Sequence, residues 1–195
     1  AKMIAENINR IKQKLKDGTL LVAVSKTIDV DRIKEAVNAG ISVLGENRVQ
    51  EAYSKFLEIK KFYQELEAKA KIYGNAEFLE NYRALKWHLI GHLQTNKVKL
   101  ALEFADLIHS VDSLSLLQSI NKHARGINKI QNILVQVNTS GEESKFGLSQ
   151  SDVNEFFKTI VSHENEYCSN VKILGFMTIA PLTDDENIIR DCFRN

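Results

Sequence analysis

Lys26 closes a short apolar run, Leu20-Leu21-Val22-Ala23-Val24-Ser25-Lys26. An amine in that place could act as a nucleophile toward an aldehyde. A run so short and so rich in aliphatic and β-branched residues predicts a buried parallel strand. An unpaired ammonium is strongly disfavoured inside such a run. It is at home at the carboxyl end, where α/β proteins build their sites. Partial burial at such a place lowers an amine's pKa and leaves it reactive. Taken alone, the run favours the plainer arrangement, a strand-end lysine paired with a carboxylate or a phosphate.

Other segments carry polar residues to comparable places. Period-two geometry puts Val22, Val24 and Lys26 on one face of their strand. In the next strand Val43, Gly45 and Asn47 share a face and Glu46 takes the other. Asn47 could hydrogen-bond a planar ligand, although on its own it reads better as the N-cap of the following helix. His88 and His92 stand four apart on a strand and its exit, with no third ligand nearby, so a metal site is not expected. His88 reads instead as a hydrogen-bonded histidine beside the site. Thr95-Asn96-Lys97 reads in part as a helix start. Val137-Asn138-Thr139-Ser140-Gly141 leads into a polar loop that ends at Phe146-Gly147. Met177, in Gly175-Phe176-Met177-Thr178-Ile179, fills a barrel interior or packs on a ligand ring. No nucleophilic triad, carboxylate pair or Gly-rich phosphate loop is evident.

The elements that must position these residues alternate. Ile4, Ile8, Ile11 and Leu15 predict an amphipathic opening helix, ended by Asp17-Gly18. Strands are expected over 20–26, 42–47, 87–91, 107–112, 133–139 and 173–179. Helices are expected over 31–39, 48–71, 97–104, 114–124, 150–161 and from 184 onward. Residues 48–86 should hold a long helix, a break near Gly74-Asn75 and a second short helix. Such alternation implies a parallel sheet, either a barrel or a doubly wound sheet. A closed eight-stranded barrel needs about 200 to 250 residues. Six units are found here, so the first and sixth strands should keep unpaired edges.

The 195 residues suit one domain, and 44% hydrophobic with 26% charged residues is ordinary for a globular protein. A net charge of +1 gives no bulk attraction to nucleic acid or membrane. The sequence has no bilayer-spanning run and no signal-peptide pattern. Its two cysteines lack metal or redox spacing. A cytoplasmic location is expected.

Several motifs in register resemble the pyridoxal phosphate homeostasis protein family. They are Ala23-Val24-Ser25-Lys26-Thr27, Gly45-Glu46-Asn47 with Val49-Gln50-Glu51, and Trp87-His88-Leu89-Ile90-Gly91-His92-Leu93-Gln94-Thr95-Asn96-Lys97. Val135-Gln136-Val137-Asn138, Lys145-Phe146-Gly147 and Gly175-Phe176-Met177-Thr178-Ile179 follow in the same order. The resemblance implies an α/β fold, a TIM (β/α)8-type barrel of the alanine racemase N-terminal type, with about six of its eight units in this chain. It implies the cofactor pyridoxal 5'-phosphate, held by Lys26 through a reversible Schiff base, with Asn47, His88 and Met177 lining the pocket. The family's phosphate-holding segments, which come later in its pattern, do not occur in these residues.

The resemblance implies a carrier that stores or delivers the cofactor in vitamin B6 homeostasis, without turnover and without metal. Its partners would be pyridoxal 5'-phosphate and cofactor-dependent apoenzymes, and the complete protein would be a monomer. A racemase or decarboxylase domain is the rival; relatives of that kind use a second, mostly β domain. A barrel enzyme forming a Schiff base with a phosphorylated sugar is a third reading.

Overall fold

Helix signals and apolar spacing build the first half of the chain much as expected. The computed structural model describes residues 2–74, 76–141 and 146–194. The expectations that fall on Asn75 and on Glu142, Glu143, Ser144 and Lys145 lie outside the described residues. Chain contacts divide into two units, Ala1–His88 and Leu89–Asn195, each described by itself.

In the first unit, α1 (Lys2–Lys12) buries Ile8 and leaves Ile11 exposed. The helix stops before Leu15, one turn earlier than its apolar spacing suggests. β1 (Ala23–Val24) is far shorter than the apolar run that predicts it. It is paired in parallel only with β2 (Val43–Glu46), through Ala23↔Leu44 and Val24↔Gly45. Between them α2 (Val30–Asn38) is capped by Asp29, whose carboxylate accepts from the Arg32 N–H at 2.9 Å. α3 (Val49–Tyr73) buries Val49, Ala52, Lys55 and Ile59, three to four residues apart. It ends at Gly74, whose φ of +70° is the left-handed stop that glycine favours. α4 (Leu79–Arg83) is the second short helix that was expected, and β3 (Lys86–Leu89) follows on the other side of β2.

In the second unit a 3-10 turn over Thr95–Lys97 opens α5 (Val98–Leu102). Then come β4 (Leu107–Val111), α6 (Leu114–Gly126), β5 (Gln131–Asn138), β6 (Leu148–Ser149), α7 (Val153–Ser162), α8 (Glu164–Tyr167), β7 (Val171–Met177) and α9 (Glu186–Arg194). β5 pairs in parallel with β4, β6 and β7. Its Ile133 and Val135 are fully buried. Among the described residues β1 pairs with β2 alone and β7 with β5 alone, so each keeps the unpaired edge expected of it.

The sequence reading has no counterpart to β6, a strand of two residues. It forms because Gly147 brings the returning chain against the end of β5. At a φ of +120°, a Cβ on Gly147 would meet the Asn138 nitrogen at 2.8 Å. The Gly147 N–H donates to Asp112 Oδ2 at 3.2 Å.

Gly147→Ala should therefore cost about 2 kcal/mol, from backbone strain plus the clash. Gly126→Ala, where a Cβ meets nothing within 4 Å, should be neutral or slightly stabilising. Urea unfolding of the two variants checks this, and equal stabilities would contradict the assignment.

Candidate functional site

The carboxyl ends of β1 and β2 carry Lys26 and Asn47. Each lies two residues beyond the Val24↔Gly45 pair. The expected alternation holds at the end of β1: Val24 and Lys26 are exposed while Ser25 is buried. Lys26 is exposed rather than partly buried as expected. Val24, on the same face of the strand, is 50% exposed. Among the described residues the Lys26 side chain makes no hydrogen bond or ion pair.

The carboxylate partners expected beneath a strand-end lysine are present, but a different lysine takes them. Lys55, on the buried face of α3, donates to Ser25 O at 2.6 Å, Glu51 Oε1 at 2.7 Å and Glu46 Oε1 at 2.9 Å. All three of its N–H bonds are thereby used. Glu46 is completely buried and also accepts from Ser25 Oγ at 2.6 Å. Its second oxygen, Oε2, has no hydrogen-bond partner among the described residues. Glu51 Oε1 accepts in addition from the Thr27 N–H at 2.6 Å. Thr27 itself lies at a φ of +63°, a left-handed conformation that is an outlier for a β-branched residue. Ser25 and Thr27, the two neighbours of Lys26, are thus both fastened to one buried charged cluster.

Asn47 is half-buried in a bend after β2. The N-cap role read for it is not found. Arg48 occupies the cap position of α3, with no side-chain cap hydrogen bond. The bend takes one residue more than the sequence reading allowed, which carries Asn47 out of reach of the cap. His88 is buried in β3, with Trp87 beside it packed edge-on against Phe56 at 5.8 Å. Met177 ends β7 in the second unit. It lines a cavity of about 770 Å³ together with His109, Thr139, Thr178 and Cys192. In that unit His92 stacks on Phe146 at 3.9 Å. Among the described residues no His, Cys, Asp or Glu group is arranged to hold a metal ion. None of their helices is long and apolar enough to cross a membrane.

The sequence pattern of the family described as alanine racemase, N-terminal domain, matches residues 1–194. The pyridoxal phosphate homeostasis protein of Aquifex aeolicus (strain VF5) is 37% identical over 179 residues, covering 89% of this chain. PipY of Synechococcus elongatus PCC7942, solved without PLP, superposes with a TM-score of 0.71 at 32% identity, over 92% of this chain and 72% of PipY. This chain belongs to the pyridoxal phosphate homeostasis protein family. PipY has also been solved with PLP bound, at 30% identity and a TM-score of 0.67, with the same coverage of 92% and 72%. An alanine racemase of Clostridium difficile 630, in complex with cycloserine, shares the fold: TM-score 0.66 and 15% identity, over 98% of this chain and 48% of the racemase. The fold is therefore the α/β barrel type of the alanine racemase N-terminal domain. The chain spans 65% of the length of the Aquifex protein.

The Lys55 hydrogen bond, and after it the Thr27 N–H, hold the Glu51 carboxyl below its ordinary value of 4.5, against a smaller opposing effect of burial. A carboxyl depressed in the folded state stabilises fully above its unfolded value, and that stabilisation is lost as pH falls through the folded value. Glu51→Gln keeps an acceptor but removes the charge. The wild-type chain should melt higher than Glu51→Gln near neutral pH, and the gap should close as pH drops below about 4. A gap independent of pH would show that the Glu51 charge does not contribute to folding.

Proposed function

We propose that this chain binds pyridoxal 5'-phosphate and serves vitamin B6 homeostasis, storing or delivering the cofactor through Lys26 without turning over a substrate. The observation that carries the reading is the contrast between two lysines. Lys55 is buried and saturated with acceptors, whereas Lys26, at the strand end, is exposed and unpaired among the described residues. An exposed primary amine with no competing carboxylate fits an aldehyde cofactor. When bound, the cofactor supplies an aldehyde that an amine takes up and gives back reversibly.

Each assigned residue has a role its chemistry allows. Lys26 provides the amine. Asn47 presents an amide from the adjoining strand end, where no hydrogen bond to it is found among the described residues. His88 stays fixed in β3. PipY binding of PLP supports the cofactor's identity. Turnover would also require an acid or base at the substrate carbon. The two carboxylates of the cluster, Glu46 and Glu51, already bond Lys55, Ser25 and the Thr27 N–H. That commitment supports storage and delivery, with cofactor-dependent apoenzymes as the recipients.

Borohydride reduction in the presence of pyridoxal 5'-phosphate, followed by peptide mapping, should place the pyridoxyl group on Lys26. A label on another lysine, with Lys26 unmodified, would sink the assignment. Lys26→Ala should abolish the visible absorption band and change stability by no more than about 0.5 kcal/mol, because an exposed side chain leaves no cavity. With a panel of L-amino acids in deuterated water, no sustained exchange of the α-proton is expected. Sustained exchange that Lys26→Ala abolishes would favour a racemase or decarboxylase instead.

A further inference from the structure

Among the described residues no hydrogen bond or ion pair aims the Lys26 side chain, yet the peptide on either side of it is held by more than a strand ladder. The Ser25 N–H donates to Gly45 O at 3.0 Å, its hydroxyl to Glu46 Oε1 at 2.6 Å, and its carbonyl accepts from Lys55 Nζ at 2.6 Å. On the other side the Thr27 N–H donates to Glu51 Oε1 at 2.6 Å. Residues in sparsely populated backbone regions cost about 1–3 kcal/mol and persist only where their surroundings impose them. The Glu51 carboxylate imposes such a conformation on Thr27, at a φ of +63°. Charge-assisted hydrogen bonds of this length are the strong ones. The cluster also accepts the lack of a partner for buried Glu46 Oε2, which a cluster serving stability alone would be expected to avoid.

We infer that Glu46, Glu51 and Lys55 are positioning residues for Lys26, fixing the backbone at Ser25 and Thr27 so that the amine leaves the end of β1 in one direction. The inference rests on the reading of Lys26 as the cofactor-binding amine. Its consequence is selective. Loosening the cluster lowers the fraction of time the amine points at an aldehyde, since fixed geometry is what raises the effective concentration of a reacting group. It leaves untouched the binding of a ligand that does not react with the amine.

The test compares two probes on the full chain: pyridoxal 5'-phosphate, and pyridoxine 5'-phosphate, which carries an alcohol in place of the aldehyde. Glu51→Ala should raise the midpoint for the aldehyde about tenfold or more, the low end of what a hydrogen bond to a charged group is worth. It should leave the midpoint for the alcohol unchanged. Glu51→Gln, which keeps an acceptor for both Thr27 and Lys55, should restore most of the loss. Ser25→Ala removes a single hydroxyl and gives the second reading should Glu51→Ala fail to fold. An unchanged aldehyde midpoint in whichever variant folds, or equal weakening of both probes, overturns the inference. Lys26→Ala separates this result from failure of the underlying reading. If Lys26→Ala still prefers the aldehyde over the alcohol as the parent does, the assignment of Lys26 itself is wrong, whatever the cluster variants show.

Discussion

An ammonium can be buried only if each of its N–H bonds finds an acceptor, and the Lys55 ammonium finds one in each of three different segments. It reaches a backbone carbonyl after β1, a carboxylate within β2 and a carboxylate in the first turns of its own helix. One buried cation thereby ties β1, β2 and α3 together just where the candidate site begins. Removing one partner of such a group costs about 3–5 kcal/mol, because the remaining charge is stranded away from water. The same arithmetic does not make the cluster a net source of stability, since an apolar replacement of similar volume is often as good. What a charged cluster adds over packed methyl groups is direction. Its hydrogen bonds specify where Ser25 and Thr27 sit, and with them Lys26.

Much of this was legible in the sequence, and the parts that were not have physical reasons. The apolar run ending in Lys26 announced a strand end, and the alternation of exposed Val24, buried Ser25 and exposed Lys26 follows from a period of two. Glu46, read on the face opposite Val43 and Gly45, closes β2 completely buried. The Glu51–Lys55 pair was not read, although its i,i+4 spacing on a helix is a signal that could have found it. The link from Lys55 to Ser25, across thirty positions of chain, has no signature in local spacing. It exists only once α3 folds back over β1 and β2. Taken alone, the strand-end Lys26 was expected to be paired; it is not, and the paired lysine is Lys55, from the helix.

The shortfalls are of the same kind. β1 keeps two residues of ladder because a ladder needs a neighbour, and the apolar run is longer than its pairing with β2. The short β6 depends on how closely Gly147 approaches Asn138, a distance that no residue pattern encodes. Asn47 looked like a helix cap by type, but Arg48 stands at that position. Met177, read as interior to a strand running to Ile179, is instead the last residue of β7 and lines a cavity in its own unit.

Sharing a fold with an alanine racemase at 15% identity says nothing about chemistry, because one barrel hosts many reactions and the site decides among them. Here the decision turns on which lysine amine is available. The most direct measurement is NMR of the chain with 13C at the lysine ε-carbons, resonances assigned through Lys26→Arg and Lys55→Arg, during addition of pyridoxal 5'-phosphate. The expected result is that the Lys26 signal moves or vanishes as cofactor is added, while the Lys55 signal stays where it was. A Lys26 signal that does not change while the visible band forms would contradict the account.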